Sequence, residues 1–303
     1  MKFGKLGSPD QILDIDFRLP ENDVQFSSDG QMRDDFMVYV GCPMWGNKGW
    51  IGKLYPKGTK AGDYLQYYSQ SFNTIELNST HYRTPTDDIA DRWREAAADG
   101  FHFCPKIPQS ISHYRKLVNV TEDLQRFTDV IQRFEDHLGA SFVQLHESFS
   151  PQLLGNLIQF VDQWPAQLPL SIEFRNTAWF ENNRLIPEAS EVLLRKGIGA
   201  VITDVSGRRD VLHATLTSNV VVIRFVGNAL HPTDYSRADT WIDKLEEWKK
   251  LGIKAVYFFV HEPDDAFAPE MGSYVIEKLN ERFDLALRIP GIPDEGGEQM
   301  SLF

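Results

Sequence analysis

The sequence predicts a TIM-type (β/α)8 barrel, a single domain with an N-terminal extension. Three observations predict it. Eight short apolar runs recur along the chain, each ending in polar or charged residues. Segments of helical length separate most of them, so strand and helix alternate as in the βαβ units of a parallel sheet. No Gly-x-Gly-x-x-Gly follows the first run and no GKS or GKT loop occurs, which argues against the common open-sheet nucleotide folds.

Residues 1–35 are polar and carry scattered Pro, Gly, Ser and Asp, so an extension is expected that wraps the barrel or stays loose. The first strand, 37–41, runs into Cys42 and Trp45. The second, 74–78, ends in Glu76 and Asn78. The third, 101–105, stops at Lys106. The fourth, 142–145, carries Gln144 and meets His146 and Glu147. The fifth, 170–174, holds Glu173 and is capped by Arg175. The sixth, 201–203, ends at Asp204. The seventh, 221–223, ends at Arg224. The eighth, 256–259, runs into His261 and Glu262. Helices are expected over 60–71, 86–98, 122–138, 151–164, 184–196, 209–217, 236–250 and 265–283. Thr121-Glu122-Asp123 opens one of them with a capping residue and acids at the positive end of its dipole. Pro165 and Pro169 close another. The barrel therefore spans 36–290, and 291–303 form a flexible acidic, glycine-containing tail.

The chain has 303 residues, of which 42% are hydrophobic and 24% charged, an ordinary globular composition. No run approaches the length of a membrane helix, and Asp10, Asp14 and Asp16 interrupt any signal-like start. A cytoplasmic location follows as the default, with no membrane partner. Cys42 and Cys104 are expected in buried strands as small core residues. The formal net charge of −12 argues against strong non-specific binding to nucleic acid.

Chemistry in such a barrel sits at the C-terminal strand ends. Side chains two apart on a strand share a face, so Glu76 and Asn78 point together, with Tyr82 on the loop beyond. Glu173 and Arg175 repeat that spacing, with Trp179 in the next loop. Glu76, Glu173 and Asp204 are the candidate catalytic carboxylates. The competing role for Glu76 is a buried structural carboxylate, costly unless paired. For Glu173 with Arg175 it is a salt bridge closing the barrel, and for Asp204 it is neutralisation by Arg208 and Arg209. Lys106, Arg175 and Arg224 are expected to hold an anion, a guanidinium binding carboxylate or phosphate in a fork. Trp45, His113 and Gln144 complete the expected substrate contacts. His146-Glu147 and His261-Glu262, with Glu173 and Asp204, place imidazoles and carboxylates on four strands. That is raw material for a divalent metal, but no H-E-x-x-H helix forces the geometry and no cofactor is expected.

These residues, taken in order, resemble the YecE-like family, domain of unknown function seventy-two. The resemblance rests on Val40-Gly41-Cys42-Pro43-Met44-Trp45, on 72–82 with Glu76, Asn78, Thr80 and Tyr82, and on Lys106, Pro108, Ile111 and His113. It continues through Glu173-Phe174-Arg175 with Trp179, Asp204, Arg224-Phe225 and Tyr257-Phe258-Phe259, and covers about residues 36 to 283. It implies a TIM-barrel-like fold and no particular reaction. The chain departs from the family pattern at His81, where Phe is usual. Phe225-Val226-Gly227 lacks the family's histidine, and Val260-His261-Glu262 replaces a pair of asparagines. The tail Gln299-Met300-Ser301-Leu302-Phe303 is similar to the peptide by which bacterial repair and replication proteins hook the sliding clamp. That resemblance implies contacts from Gln299, Leu302 and Phe303.

The function expected first is an enzyme, a hydrolase or lyase, acting on a small anionic or phosphate-containing ligand at the mouth. The first alternative is a DNA-repair-associated factor recruited to the sliding clamp, with metal-dependent phosphodiester hydrolysis as its chemistry. The second is a non-catalytic binding module whose charges pair internally, since a fold proves no chemistry. Common barrel glycosidases carry acids at the ends of strands four and seven, where this chain has Gln144 and Arg224.

Overall fold

The computed structural model describes residues 4, 6, 8–27 and 35–291. The clamp-like residues Gln299, Leu302 and Phe303 lie outside the described residues.

Eight parallel strands occupy the expected positions: β1 Met37–Gly41, β2 Thr74–Leu77, β3 His102–Pro105, β4 Ser141–Gln144, β5 Leu170–Glu173, β6 Gly199–Asp204, β7 Val220–Val226 and β8 Ala255–His261. The closed eight-strand ladder expected from the sequence is not what they form. Among the described residues six strands make one parallel sheet in the order β1-β8-β7-β6-β5-β4, and β2 pairs with β3 in a separate two-stranded sheet.

Side chains inserted at one seam and isolated bridges at the other mark the interruption. Between β1 and β2 the Asn73 amide takes the backbone's place, accepting from Val40 N at 2.7 Å and donating to Val38 O at 3.0 Å. The Tyr68 hydroxyl stands there as well. It accepts from Cys42 N at 2.7 Å and donates to Thr74 O at 3.0 Å. Above them Glu76 N reaches Cys42 O directly at 3.1 Å. Between β3 and β4 isolated bridges join Phe103 to Leu138 and Lys106 to Phe142.

Besides the single turn of helix Ser79–Tyr82, seven longer α-helices follow the strands among the described residues: α1 Tyr64–Ser71, α2 Asp87–Ala96, α3 Thr121–Gln132, α4 Leu154–Gln163, α5 Pro187–Leu194, α6 Pro232–Lys250 and α7 Ala268–Phe283. Helix α6 begins as its sequence dictates. Pro232 occupies the first turn, where its missing N–H costs nothing. Asp234 accepts from His231 N at 3.0 Å, closing a capping box.

No α-helix forms over 209–217. Residues Ser206–Val211 make 3-10 turns and Thr215–Leu216 make a strand. The segment is short and rich in β-branched residues, which favour extended backbone. Its cover is the N-terminal extension. Asp23–Val24 pairs in parallel with Thr215–Leu216. Asn22 accepts from Trp248 Nε1 at 2.7 Å, and Pro20 O accepts from Lys244 Nζ at 2.7 Å. The extension thus wraps the outside between the missing helix and α6.

Two apolar bodies result. The larger core lies between strands and helices and includes Val38, Ile75, Phe103, Val143, Ile202 and Ile223. The smaller lies on the opposite strand face and includes Tyr39, Cys104, Phe142, Val201, Val222 and Phe259. Tyr39 stacks on Tyr257 there, with ring centroids 4.7 Å apart. Among the described residues no helix is long and apolar enough to cross a membrane.

Candidate active site

Moving two residues toward the C-terminus from the small apolar cluster keeps the same strand face and changes its chemistry. Phe142 is followed by Gln144, Val201 by Thr203, Val222 by Arg224, Phe259 by His261 and Cys104 by Lys106. Glu76 and Glu173 complete this layer from β2 and β5. All seven side chains are buried. A layer of titratable groups above an apolar one is stable only if its charges are mutually compensated.

Arg224 compensates most of them. Its Nε and Nη2 donate to the two oxygens of Glu76 at 2.8 and 2.7 Å, a forked pair, and Nη1 donates to Glu173 at 2.9 Å. Glu76 also accepts from Asn78 at 2.8 Å and from His261 Nε2 at 2.8 Å. Because a carboxylate only accepts, His261 carries its proton on Nε2. Glu173 accepts from Arg175 Nε at 2.7 Å and from Thr203 Oγ1 at 3.0 Å. Burial pushes both carboxyls up, but the neighbouring cations outweigh it. Arg224 and His261 hold Glu76 well below the carboxylate range, and Arg175 with Arg224 brings Glu173 down to about 2. Both are carboxylates at any physiological pH.

Lys106 differs. Nζ donates to Gln144 Oε1 at 2.9 Å and lies 5.8 Å from the Phe142 ring centre. Among the described residues it has no carboxylate partner, since Glu76 and Glu173 are turned toward the arginines. Burial, then the positive charge of Arg224, brings the amine down to about 7. It is therefore the group of this layer whose charge changes near neutrality.

Gln144 is held in one orientation by a chain of hydrogen bonds. Its Nε2 contacts His113 Nε2 at 3.4 Å, His113 Nδ1 contacts Ser112 Oγ at 2.9 Å, and Ser112 donates to Pro108 O at 3.2 Å. The carbonyl only accepts, so each donor upstream is set, and Gln144 turns Oε1 toward Lys106. His81 lies against His113, with ring centroids 4.9 Å apart, and His146 follows at 5.3 Å. The His81 Nδ1 contact at 2.8 Å is to the carbonyl of Ile107, which places the proton on Nδ1 and leaves Nε2 a lone pair. Burial, then Lys106 for His81 and the adjoining imidazoles for His113, lowers both to about 4. Both rings are neutral at pH 7.

The structure thus brings together Glu76, Asn78, Lys106, His113, Gln144, Glu173, Arg175 and Arg224. It places the remaining expected residues elsewhere. Asp204 points to the opposite side of β6 from Thr203. It is ion-paired with Arg209 and with Arg237 at 3.0 Å, and accepts from Trp241 Nε1 at 2.8 Å. Trp179 is fully buried, donating to Phe149 O at 2.6 Å. Trp45 packs edge-on against Trp93, with centroids 5.2 Å apart. Tyr82 is 74% exposed on the turn Ser79–Tyr82 that follows β2. Thr203 was not among the expected site residues, although its spacing from Val201 is the signal that finds it.

Glu262 is buried beside Gly227, where any Cβ would stand 2.2 Å from its Oε1. It accepts from Ala229 N at 2.9 Å. Burial, then the charge of Asp234, raises it to about 8. Among the described residues no group of three or more His, Cys, Asp or Glu has metal-holding geometry.

A family model described as a protein of unknown function, DUF72, matches residues 39–294. The protein YecE of Escherichia coli (strain K12), of the UPF0759 group, is 29% identical over 285 residues, covering 88% of this chain and 100% of its own length. YunF of Bacillus subtilis (strain 168) is 23% identical over 158 residues, or 48% of this chain and 52% of that protein. The crystal structure of a DUF72 family protein from Enterococcus faecalis V583, at 2.52 Å resolution, superposes with a TM-score of 0.64 at 16% identity. It covers 84% of this chain and 100% of that one, a likeness of fold.

Proposed function

The chain belongs to the DUF72 family, and from its buried polar layer we propose an enzyme that binds a small anionic substrate at the strand C-termini. We read the eight strands as a TIM-type barrel with two seams, one filled by the Asn73 and Tyr68 side chains and one joined by isolated bridges. The Glu76-to-Cys42 bond and the Lys106-to-Phe142 bridge support closure across them.

The observation that carries the function is Lys106, a buried amine with no carboxylate at ion-pair distance among the described residues. The charges of Glu76, Glu173, Arg175 and Arg224 cancel in pairs. Protonating Lys106 leaves one positive charge in excess, which an anionic ligand neutralises. Glu76, Arg224 and Glu173 serve as the rigid frame of the site. Neither carboxyl is a proton donor at neutral pH, because both are held ionised by guanidinium groups. Acid–base work near pH 7 falls to Lys106.

Binding is therefore coupled to proton uptake. In the free protein the amine is half charged at about pH 7, and an adjacent anion raises that value. Affinity is highest below pH 7 and falls as pH rises through 7 toward the raised value. Titration calorimetry of acetate, whose own charge is constant across this range, in two buffers of different ionisation enthalpy, measures this, with inorganic phosphate as a second anion at fixed pH. We expect up to one proton taken up per site near neutrality and weaker binding at about pH 8 than at about pH 6, either side of the Lys106 value. Lys106→Met removes the pH dependence and weakens binding by about tenfold or more, the size of a charge-assisted hydrogen bond. Binding of neither anion, or binding whose pH dependence survives in Lys106→Met, contradicts the reading.

A further inference from the structure

We propose that Lys106 is a covalent nucleophile whose Nζ condenses with the carbonyl carbon of a small 2-oxo carboxylic acid to form an imine. The inference rests on the anion-binding reading above and names its substrate class.

The geometry around Nζ suits this chemistry. A nucleophilic lysine needs an unprotonated amine, and burial beside other cations supplies one. Lys106 is 6% exposed. The charged and titratable groups facing it come from several elements: Glu76 on β2, Glu173 and Arg175 on or just after β5, Arg224 on β7, and His81 and His113 on the turns after β2 and β3. The carboxylates are claimed by Arg224 and Arg175. The ammonium form thus has cations nearby and no carboxylate within ion-pair distance among the described residues. Gln144 is pinned through His113, Ser112 and Pro108, so its Oε1 holds Nζ–H and orients the nitrogen.

A 2-oxo acid adds what the site lacks: an anion beside Arg175 and Lys106, and an electrophile next to it. The Nζ lone pair forms a C–N bond as the carbonyl π pair moves to oxygen, which takes a proton. Nitrogen gives up both of its protons in turn, one to the alkoxide and one to the hydroxyl so formed, which departs as water and leaves a C=N bond. Amine plus ketone gives imine plus water, and no oxidant or reductant is consumed. His81, with its Nε2 lone pair exposed by the Nδ1 contact to Ile107 O, is the neutral base placed to move those protons.

The test uses the full chain with pyruvate as probe and sodium cyanoborohydride to trap the imine, read by intact and peptide mass. We expect one adduct per chain, on Lys106, saturating with pyruvate. It should form at least tenfold faster than adducts on exposed Lys57 and Lys60, with a rate that at low pyruvate rises through about pH 7. Gln144→Glu places a carboxylate on Nζ, keeps the amine protonated and slows trapping about tenfold or more at neutral pH. Lys106→Arg abolishes the adduct while pyruvate still binds by calorimetry. Wild-type protein that binds pyruvate but labels Lys106 no faster than the exposed lysines overturns the imine and leaves the anion site standing. Absence of both binding and labelling overturns both.

Discussion

Arg224→Met destabilises the protein by about 3–5 kcal/mol at neutral pH, the cost of leaving buried charges without their partner. The arginine is 1% exposed and divides three donors between two carboxylates that are themselves buried. Methionine fills much of the volume, so the loss is electrostatic. Its pH dependence carries the distinguishing sign. In the wild type both carboxyls titrate below their unfolded values, so their contribution is full above about pH 4.5 and is lost as pH falls further. In the variant, burial without the guanidinium raises Glu76, whose arginine partner is Arg224, while Glu173 keeps Arg175. The folded state then binds more protons than the unfolded one, and stability increases as pH falls from 7 toward 5. Adding Glu76→Gln to the variant recovers part of the loss, because a buried amide costs less than a buried unpaired charge, while Glu173 keeps its pair with Arg175. Urea unfolding across this pH range measures all three effects. A variant with wild-type stability at pH 7 contradicts the ion network.

Asp204→Ala costs a similar amount, about 3–5 kcal/mol, for a different reason and with a different functional outcome. Its carboxylate is fully buried against Arg209, Arg237 and Trp241. Removing it leaves Arg237, 1% exposed, with Asp234 at 3.2 Å as its remaining carboxylate partner. The ammonium and guanidinium groups of the mouth are untouched, so the folded variant binds acetate and phosphate within about twofold of wild type, well under the tenfold that 1.4 kcal/mol represents. Loss of anion binding with stability unchanged would place Asp204 in the site instead.

The same parity rule separates these two residues, and it was legible in the sequence. Val201 and Thr203 share one face of β6, so Asp204 takes the other. Being the last residue of its run suggested the mouth, yet alternation sends it toward α6. Glu76, Lys106, Gln144, Glu173 and Arg224 were legible because each ends a strand on the inner parity. Their pairing was not. Glu76 and Arg224 are 148 residues apart, and no local pattern says which cation meets which carboxylate. Arg224, expected on the ligand, is spent on the frame, while Lys106, one cation among three in the sequence, has no carboxylate at ion-pair distance among the described residues. In place of the helix expected over 209–217 the chain makes 3-10 turns and the short strand Thr215–Leu216, which pairs with the extension strand Asp23–Val24. The seam at Asn73 and Tyr68 was equally hidden, since side chains that replace backbone partners leave no periodic signature.

The charge state of Lys106 tests the account most directly. Nuclear magnetic resonance of protein carrying isotope-labelled lysine, titrated with acid and base and assigned through Lys106→Arg, reads it. The account predicts one lysine signal titrating at about 7 and moving upward when phosphate or pyruvate is added. A Lys106 signal in the ordinary lysine range, about 10.4, and indifferent to added anion, would contradict it.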